Sequence, residues 1–311
     1  MNEPLSDAAI VPLGSDAIAE RFAKLLTWRR AGERAPHKPL LALYALGRVI
    51  RGGERMIPYV EADTALRELL REFGPVRRSF HPEYPFWRMQ RDGVWEVQSQ
   101  GPLRPRTGNT DPPRGELLRK ESTGGFPQAI DAAFRQNPAL IRNIAHTLLD
   151  AHFPTTIHED LLNAVGLDLE GQIQRRRVRD PTFRARVLIA YEQRCAVCGF
   201  DVRLGGAQLG VDAAHIQWHQ AGGPDRVENG LALCVLHHKL FDRGAFTVTA
   251  AMRVALSEHV YGGTGFDTHL LAFHGERLRA PQSDTYAPAV QFLAWHQREV
   301  FQGPPRPPLH S

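Results

Sequence analysis

At 311 residues, 42% of them hydrophobic and 23% charged, the chain is long enough for two cores of ordinary size and has no apolar run near the roughly 18 residues that cross a bilayer. This excludes a helical membrane protein, and the opening MNEPLSDAAIVPLGSD lacks the basic start and apolar stretch of a secretion signal, so a cytoplasmic protein is expected. The formal net charge of +4 is carried almost wholly by arginine, whose planar fork grips phosphate at two points, which suits a polyanionic partner.

Residues 1–16 read as a loose arm. In DAIAERFAKLLTWRR the apolar residues recur at helical spacing and predict a first helix, ended by a turn from Ala31 to Pro36. KPLLALYALGRVIRG predicts a second, well-buried helix, and EADTALRELLREFG a third that stops at Gly74 before Pro75. From Pro75 to Pro113 aromatics, prolines and glycines break the helical period, and FWRMQRDGVWEV predicts a hairpin turning at Asp92-Gly93. Helices are expected again over 127–135 and 138–151, and HEDLLNAVGLDL closes this unit near Leu169. EGQIQRRRVRDP then reads as a linker whose Arg175, Arg176, Arg177 and Arg179 are either solvated or in contact with phosphate. PTFRARVLIAYEQR predicts a helix leading into Cys195, followed by short strands and loops to about Ala250.

The three cysteines all fall between Cys195 and Cys234, an odd count in a compartment where disulfides are rare, so metal ligation is the better use for them. Cys195 and Cys198 form one pair and Cys234 and His237 a second, each with two intervening residues, which suits tetrahedral zinc. Four protein ligands leave no open position, so this zinc would be structural.

Around the second pair runs VDAAHIQWHQAGGPDRVENGLALCVLHHKLFDRGAF, which resembles the HNH endonuclease family in the spacing of His215, Asn229 and His238. The resemblance covers roughly residues 186–250 and implies a strand pair and a helix wrapped around one catalytic metal. It makes His215 the general base, Asn229 the residue whose amide orients that imidazole, and His238 a ligand to the catalytic ion. An imidazole can take a proton near neutral pH, and a cation can hold the phosphate, which are the two needs of phosphodiester hydrolysis. Asp242 lies four residues beyond His238, on the same face of a helix, and is expected to be a second ligand. Ala214 stands where many relatives carry a further ligand, and Asp212 is the candidate to supply that carboxylate. Such a half-open site favours Mg²⁺ or Mn²⁺, while its histidine would also accept Ni²⁺, Co²⁺ or Zn²⁺. His219, next to Trp218, is assigned a structural role.

An HNH core works mainly through phosphate contacts, so selectivity falls to the first half of the chain. In RRAGERAPHKPLLAL, RRSFHPEYPFWRMQ and PLRPRTGNTDPPRGEL with its following GGFP, that half resembles the sulfur-binding domain of phosphorothioated-DNA-binding restriction endonucleases. A sulfur replacing a non-bridging phosphate oxygen is larger, softer and less hydrated, so a small apolar pocket can prefer it, and Tyr84, Pro85 and Phe86 are the candidates to build one. Arg34, His37, Lys38 and Arg106, from neighbouring loops, are the candidate donors to the remaining charge, and His37 and Lys38 also read as a helix start, whose N-terminus suits phosphate. Trp87 is expected in the core. Arg77, Arg78 and Arg88 read either as solvated surface or as backbone contacts, and Asn109 and Asp111 either as turn residues or as base readers.

Together these readings predict an α+β protein of two domains: a helix-rich N-terminal DNA-reading domain with a small hairpin or sheet, and a C-terminal ββα-metal nuclease domain with a structural zinc knuckle. The expected division is an arm at 1–16, the sulfur-binding domain at 17–169, a basic linker at 170–181 and the HNH domain at 182–311. The function expected is a type IV restriction endonuclease that captures phosphorothioate-modified double-stranded DNA and cuts nearby. The alternatives are an HNH nuclease whose first domain reads methylated cytosine or a plain sequence, and a non-catalytic zinc-containing DNA-binding regulator, against which the retention of His215, Asn229, His238 and Asp242 argues. Cleavage of both strands would call for a homodimer.

Overall fold

The computed structural model describes residues 14–25, 33–106, 108, 111–167, 181–204 and 207–308. Residues 1–13 of the expected arm, the end of the first predicted helix and most of the turn after it, residues 170–180 of the basic linker with its four arginines, and Asn109 lie outside the described residues, while Ser15 and Asp16 already belong to the first helix.

The first unit is built from α1 (Ser15–Ala23), α2 (His37–Ile50), α3 (Tyr59–Phe73), α4 (Glu83–Arg88), α5 (Arg114–Arg119), α6 (Gln128–Gln136), α7 (Pro138–His152) and α8 (His158–Val165). Three short strands, β1 (Ile57–Pro58), β2 (Glu96–Gln98) and β3 (Thr123–Gly125), form an antiparallel sheet with β3 in the middle. Helix α2 is apolar nearly all round and buries Leu40, Leu41, Leu43, Leu46 and Val49, so it runs through the centre rather than along a face. Helix α3 shows one apolar stripe instead, with Tyr59, Ala62, Leu66, Leu69, Leu70 and Phe73 inward at helical spacing. Phe22, Phe126, Phe134, Trp95, Phe86 and Tyr59 meet in a chain of tilted and edge-to-face rings, with centroids 4.8–5.9 Å apart, that closes this core.

The predicted hairpin over 86–97 does not form. Pro82 opens α4, Pro85, Phe86 and Met89 turn inward at helical spacing, and a 3₁₀ turn over Met89–Asp92 continues it. Gly93, at φ 68°, ends that turn in the left-handed conformation a helix end needs, so the Asp-Gly signal was a C-cap and not a hairpin turn. The following strand β2 pairs with β3, far along the chain.

The second unit opens on α9 (Pro181–Ala190) and the hairpin β4 (Arg203–Leu204) and β5 (Ala207–Gln208). Strands β6 (Val211–His215) and β7 (Gly230–Cys234) pair antiparallel, His215 opposite Gly230 and Val211 opposite Cys234, and α10 (Val235–Asp242) packs against both. The hairpin of β8 (Phe246–Val248) and β9 (Val254–Leu256), then α11 (Thr264–His269) and α12 (Val290–Glu299), complete it. The expected α+β architecture is therefore present, with small antiparallel sheets in both units.

The two halves share a seam. Trp218, Trp295 and Val300 pack into the core cluster of the first unit. His296 on α12 is fully buried: its Nε2 donates to the Phe241 carbonyl at 3.1 Å, so the neutral ring accepts at Nδ1 from Thr247 at 2.9 Å, and it lies flat on Phe241 at 3.7 Å. Burial pushes its pKa down to about 4. With a folded value below the unfolded one, the unfolded chain binds the extra proton, so stability is lost as the pH falls from about 6.5 to about 4. The unfolding free energy from urea titrations is expected to fall between pH 7 and pH 4.5, by up to about 3 kcal/mol from this residue, and His296→Gln is expected to flatten that fall. An unchanged pH slope in the variant would remove the assignment.

Candidate active site and DNA-reading face

Four side chains gather where α9, β7 and α10 meet. Cys195 and Cys198 lie on the turn after α9, Cys234 ends β7, and His237 falls in the first turn of α10. Their ligand atoms all lie within 4.8 Å of one another, the one such group among the described residues. His237 Nδ1 is 3.1 Å from Cys234 Sγ and 3.6 Å from Cys195 Sγ, while its Nε2 donates to the His269 carbonyl at 2.9 Å. That outer bond fixes the tautomer that leaves Nδ1 for a metal. Hydrogen bonds with Cys198 and Cys234 pull the Cys195 thiol far below its usual range, toward the thiolate that binds metal. The donor set and spacing fit a tetrahedral ion.

His215 ends β6. Its Nε2 is 2.7 Å from Asp225 Oδ1, and Phe183 of α9 stacks on its face at 4.0 Å and 15°. Gly230 opposite must be glycine, because a Cβ there would stand 2.5 Å from Val187 and 3.2 Å from Phe183. On α10, His238 Nε2 is 3.3 Å from Asp242 Oδ2, as the four-residue spacing predicts, and the pair offers adjacent nitrogen and oxygen donors for a divalent ion.

Three expectations here are corrected. Asn229 is fully buried, but its amide accepts from Gln217 N at 2.8 Å and donates to the carbonyls of Gln217 and Pro224, both at 3.0 Å. It therefore pins the backbone of the loop between β6 and β7, and it is Asp225 that bonds the His215 imidazole at Nε2. Asp212 is salt-bridged to Arg184 at 2.7 Å, and its carboxylate does not gather with His238 and Asp242 into one ligand group. His219 is exposed, with its ring 6.1 Å from that of His215, and so is not in a packing role.

Helix α10 is also held from the first unit. Thr156 donates to Asp242, Asp160 pairs with Lys239 at 3.0 Å, and Glu72 pairs with Arg243 at 2.7 Å. Burial pushes the Asp242 carboxyl up, but His238 and the Thr156 hydrogen bond outweigh it and hold the pKa below its usual value.

In the first unit, Tyr84 and Arg106 come together: Arg106 Nη1 donates to the Tyr84 hydroxyl at 2.8 Å, and Nη2 pairs with Glu83 at 2.7 Å. His81 stacks on Tyr84 at 4.9 Å, and the Arg88 guanidinium lies 4.5 Å above the same ring while pairing with Asp111 at 2.6 Å. Lys38 is tied to Asp92 at 2.6 Å, and Arg78 is exposed with no bonded partner among the described residues. His37 is half-buried, and burial, with smaller contributions from the neighbouring His81 and Arg77, pushes its pKa down to about 4, so its ring is neutral at neutral pH. Pro85 is buried and Trp87 only partly so.

Two candidates of this face are corrected. Phe86 is a core ring between Tyr59 and Trp95 and does not reach the surface. Arg34 points into the seam: it donates to the carbonyls of Phe73 and Glu299, at 2.5 and 2.8 Å, and its guanidinium lies 3.9 Å over Trp218. Burial lowers its pKa to about 9 against the pull of Glu299, which leaves it charged at neutral pH.

A paired β6–β7, a helix carrying His238 and Asp242, and a flanking cysteine-histidine quartet define a nuclease of the HNH class, and an HNH endonuclease family model matches residues 195–249. The model for the ScoMcrA-like, DNA sulfur-binding domain matches residues 15–170, and the chain belongs to that family. Among solved structures, "Sulfur binding domain of ScoMcrA complexed with phosphorothioated DNA" is 24% identical over 48% of this chain and 94% of that one, at a TM-score of 0.43. The corresponding SprMcrA domain is 23% identical over 50% of this chain and 94% of that one, also at 0.43. "Structure of the Type IV phosphorothioation-dependent restriction endonuclease ScoMcrA" is 22% identical over 48% of this chain, at 0.41, and the match spans only 32% of that enzyme. No curated protein matches the chain. No helix among the described residues is long and apolar enough to cross a membrane.

Proposed function

We propose that this chain is a modification-dependent, type IV restriction endonuclease: the first unit captures double-stranded DNA carrying a phosphorothioate, and the HNH unit hydrolyses a phosphodiester bond nearby. The observation that carries the reading is the join of a sulfur-binding domain to an HNH domain in one chain, with His215 and the His238–Asp242 pair both in the second. Tyr84 with Arg106, and the exposed Arg78, support a reading face in which a ring meets the soft edge of the modified phosphate and guanidinium groups meet its charge.

His215 takes the proton of the attacking water, and its flat contact with Phe183 holds the ring plane while it does so. His238 and Asp242 would hold a Mg²⁺ or Mn²⁺ class ion, which when bound supplies charge for the phosphate and the leaving oxygen. The Cys195, Cys198, Cys234 and His237 quartet would hold zinc and stiffen the turn into α10.

The test is paired plasmids, with and without phosphorothioate, incubated with the full chain in Mn²⁺ or in chelator. Cutting of the modified plasmid alone, and only with metal, is expected. Equal cutting of both would remove the sulfur-reading assignment, and no cutting of either would favour a DNA-binding regulator.

A further inference from the structure

We propose that Asp225 is the positioning residue of the His215 base, a role that rests on the nuclease reading above. A carboxylate oxygen can only accept, so the 2.7 Å bond places the proton on His215 Nε2 and the lone pair on Nδ1, the nitrogen that would take a proton from water. The same carboxylate stabilises the imidazolium formed when that proton is taken, as the buried aspartate does in the serine-protease template.

The loop that carries Asp225 is braced on three sides. Asn229 bonds the Gln217 backbone and the Pro224 carbonyl, which fixes the chain on either side of the turn. Arg186 of α9 donates to the Asp225 carbonyl at 3.0 Å, one turn from Phe183, whose ring stacks on His215. One helix thus fixes both the face of the imidazole and the loop that holds its edge. The asparagine of the motif acts on the base at one remove, through the loop and Asp225. The carboxylate side chain is about one-third exposed, at 32%, which leaves room for the isosteric amide without repacking.

The experiment compares Asp225→Asn, Asp225→Glu and His215→Ala in the full chain. Asp225→Asn is expected to lower single-turnover cleavage of modified DNA by about 10² to 10⁴-fold, with the affinity for that DNA unchanged. The acid limb of its pH–rate profile should move to lower pH, because the imidazolium has lost its counter-charge, and Asp225→Glu should recover part of both effects. Imidazole nitrogen NMR of the metal-free chain should show His215 as the Nε2–H tautomer in the wild type and a mixed population in Asp225→Asn. Wild-type cleavage, pH limb and tautomer in Asp225→Asn, beside an inactive His215→Ala, would overturn the proposal while leaving the nuclease reading intact. Normal cleavage by His215→Ala would instead remove that reading.

Discussion

Cys234→Ser is expected to lose its metal and to melt the second unit well below the temperature at which the wild-type unit unfolds. Cys234 closes β7 and His237 opens α10, so the quartet ties the strand that carries the register of β6 to the helix that carries His238 and Asp242. The segment between Cys195 and Gly210 contributes two strands of only two residues each and leaves Phe200, Val202, Leu204 and Leu209 exposed, too little apolar burial to order it by packing. A cysteine-histidine zinc site supplies on the order of 10 kcal/mol of binding free energy at neutral pH, which goes directly into folding, and one missing thiolate forfeits much of it. The check is zinc content by elemental analysis together with a thermal scan, in parallel with wild-type chain treated with a strong chelator. One zinc per chain in the wild type, none in the variant and a new low-temperature transition are the expected results. A metal-free variant with the wild-type melting curve would mean that three free thiols and a histidine merely share a corner of the core.

Much of this was legible before any coordinates. Helices α2, α3 and α7 follow from apolar spacing alone, because each buries a stripe or a full circumference that no other period would produce. The quartet follows from two short ligand spacings, since a knuckle is a local object whose geometry is set within four residues. What was not legible depends on distant partners or on the direction a side chain takes. Asp212 is a candidate ligand by sequence, but its carboxylate pairs with Arg184 of α9, a partner 28 residues away, and does not gather with His238 and Asp242. Arg34 read as a phosphate donor because an arginine beside a helix start usually is one, and its true partner, Glu299, lies 265 residues away. Phe86 belonged to a motif whose neighbours reach the surface, but the helical turn of α4 rotates it inward. Asp225 looked like an ordinary loop residue in GGPDRVEN, and only the fold of that loop back toward β6 brings it to the imidazole.

The seam gives the corrected residues a common meaning. Arg34 and Arg77 of the first unit both bond to Glu299 at the end of α12, and Arg243 at the end of α10 bonds back to Glu72. Glu299 is completely buried and the Arg77 guanidinium pairs with its carboxylate, so removing Arg77 leaves an underpaired buried charge, while removing the Arg34 side chain takes the donor from the Phe73 and Glu299 carbonyls; both side chains serve the joint between the units. Thr156 and Asp160, just ahead of and within α8, hold the end of α10 that carries Asp242. The helix that carries two of the candidate catalytic side chains is thus packed into its position partly by the sulfur-binding unit.

His215→Ala is expected to reduce cleavage of modified DNA by at least about 10³-fold while leaving the affinity for that DNA within about twofold. The first effect follows from chemistry: without the imidazole that Asp225 holds, water must lose its proton to solvent in the transition state. The second follows from position. His215 lies at the end of β6 against Phe183, whereas Tyr84, Arg106 and Arg78 belong to the other unit, so the reading face keeps every contact it has. The ring is largely buried against Phe183 and bonded to Asp225, so His215→Ala is also expected to lower stability by about 1–3 kcal/mol, and a thermal scan checks that the variant is folded. Single-turnover cleavage with Mn²⁺ and a binding titration in chelator, on the same phosphorothioate duplex, read the two quantities separately. Binding lost along with cleavage would show that the base region also holds the duplex, and that reading and cutting are not divided between the two units.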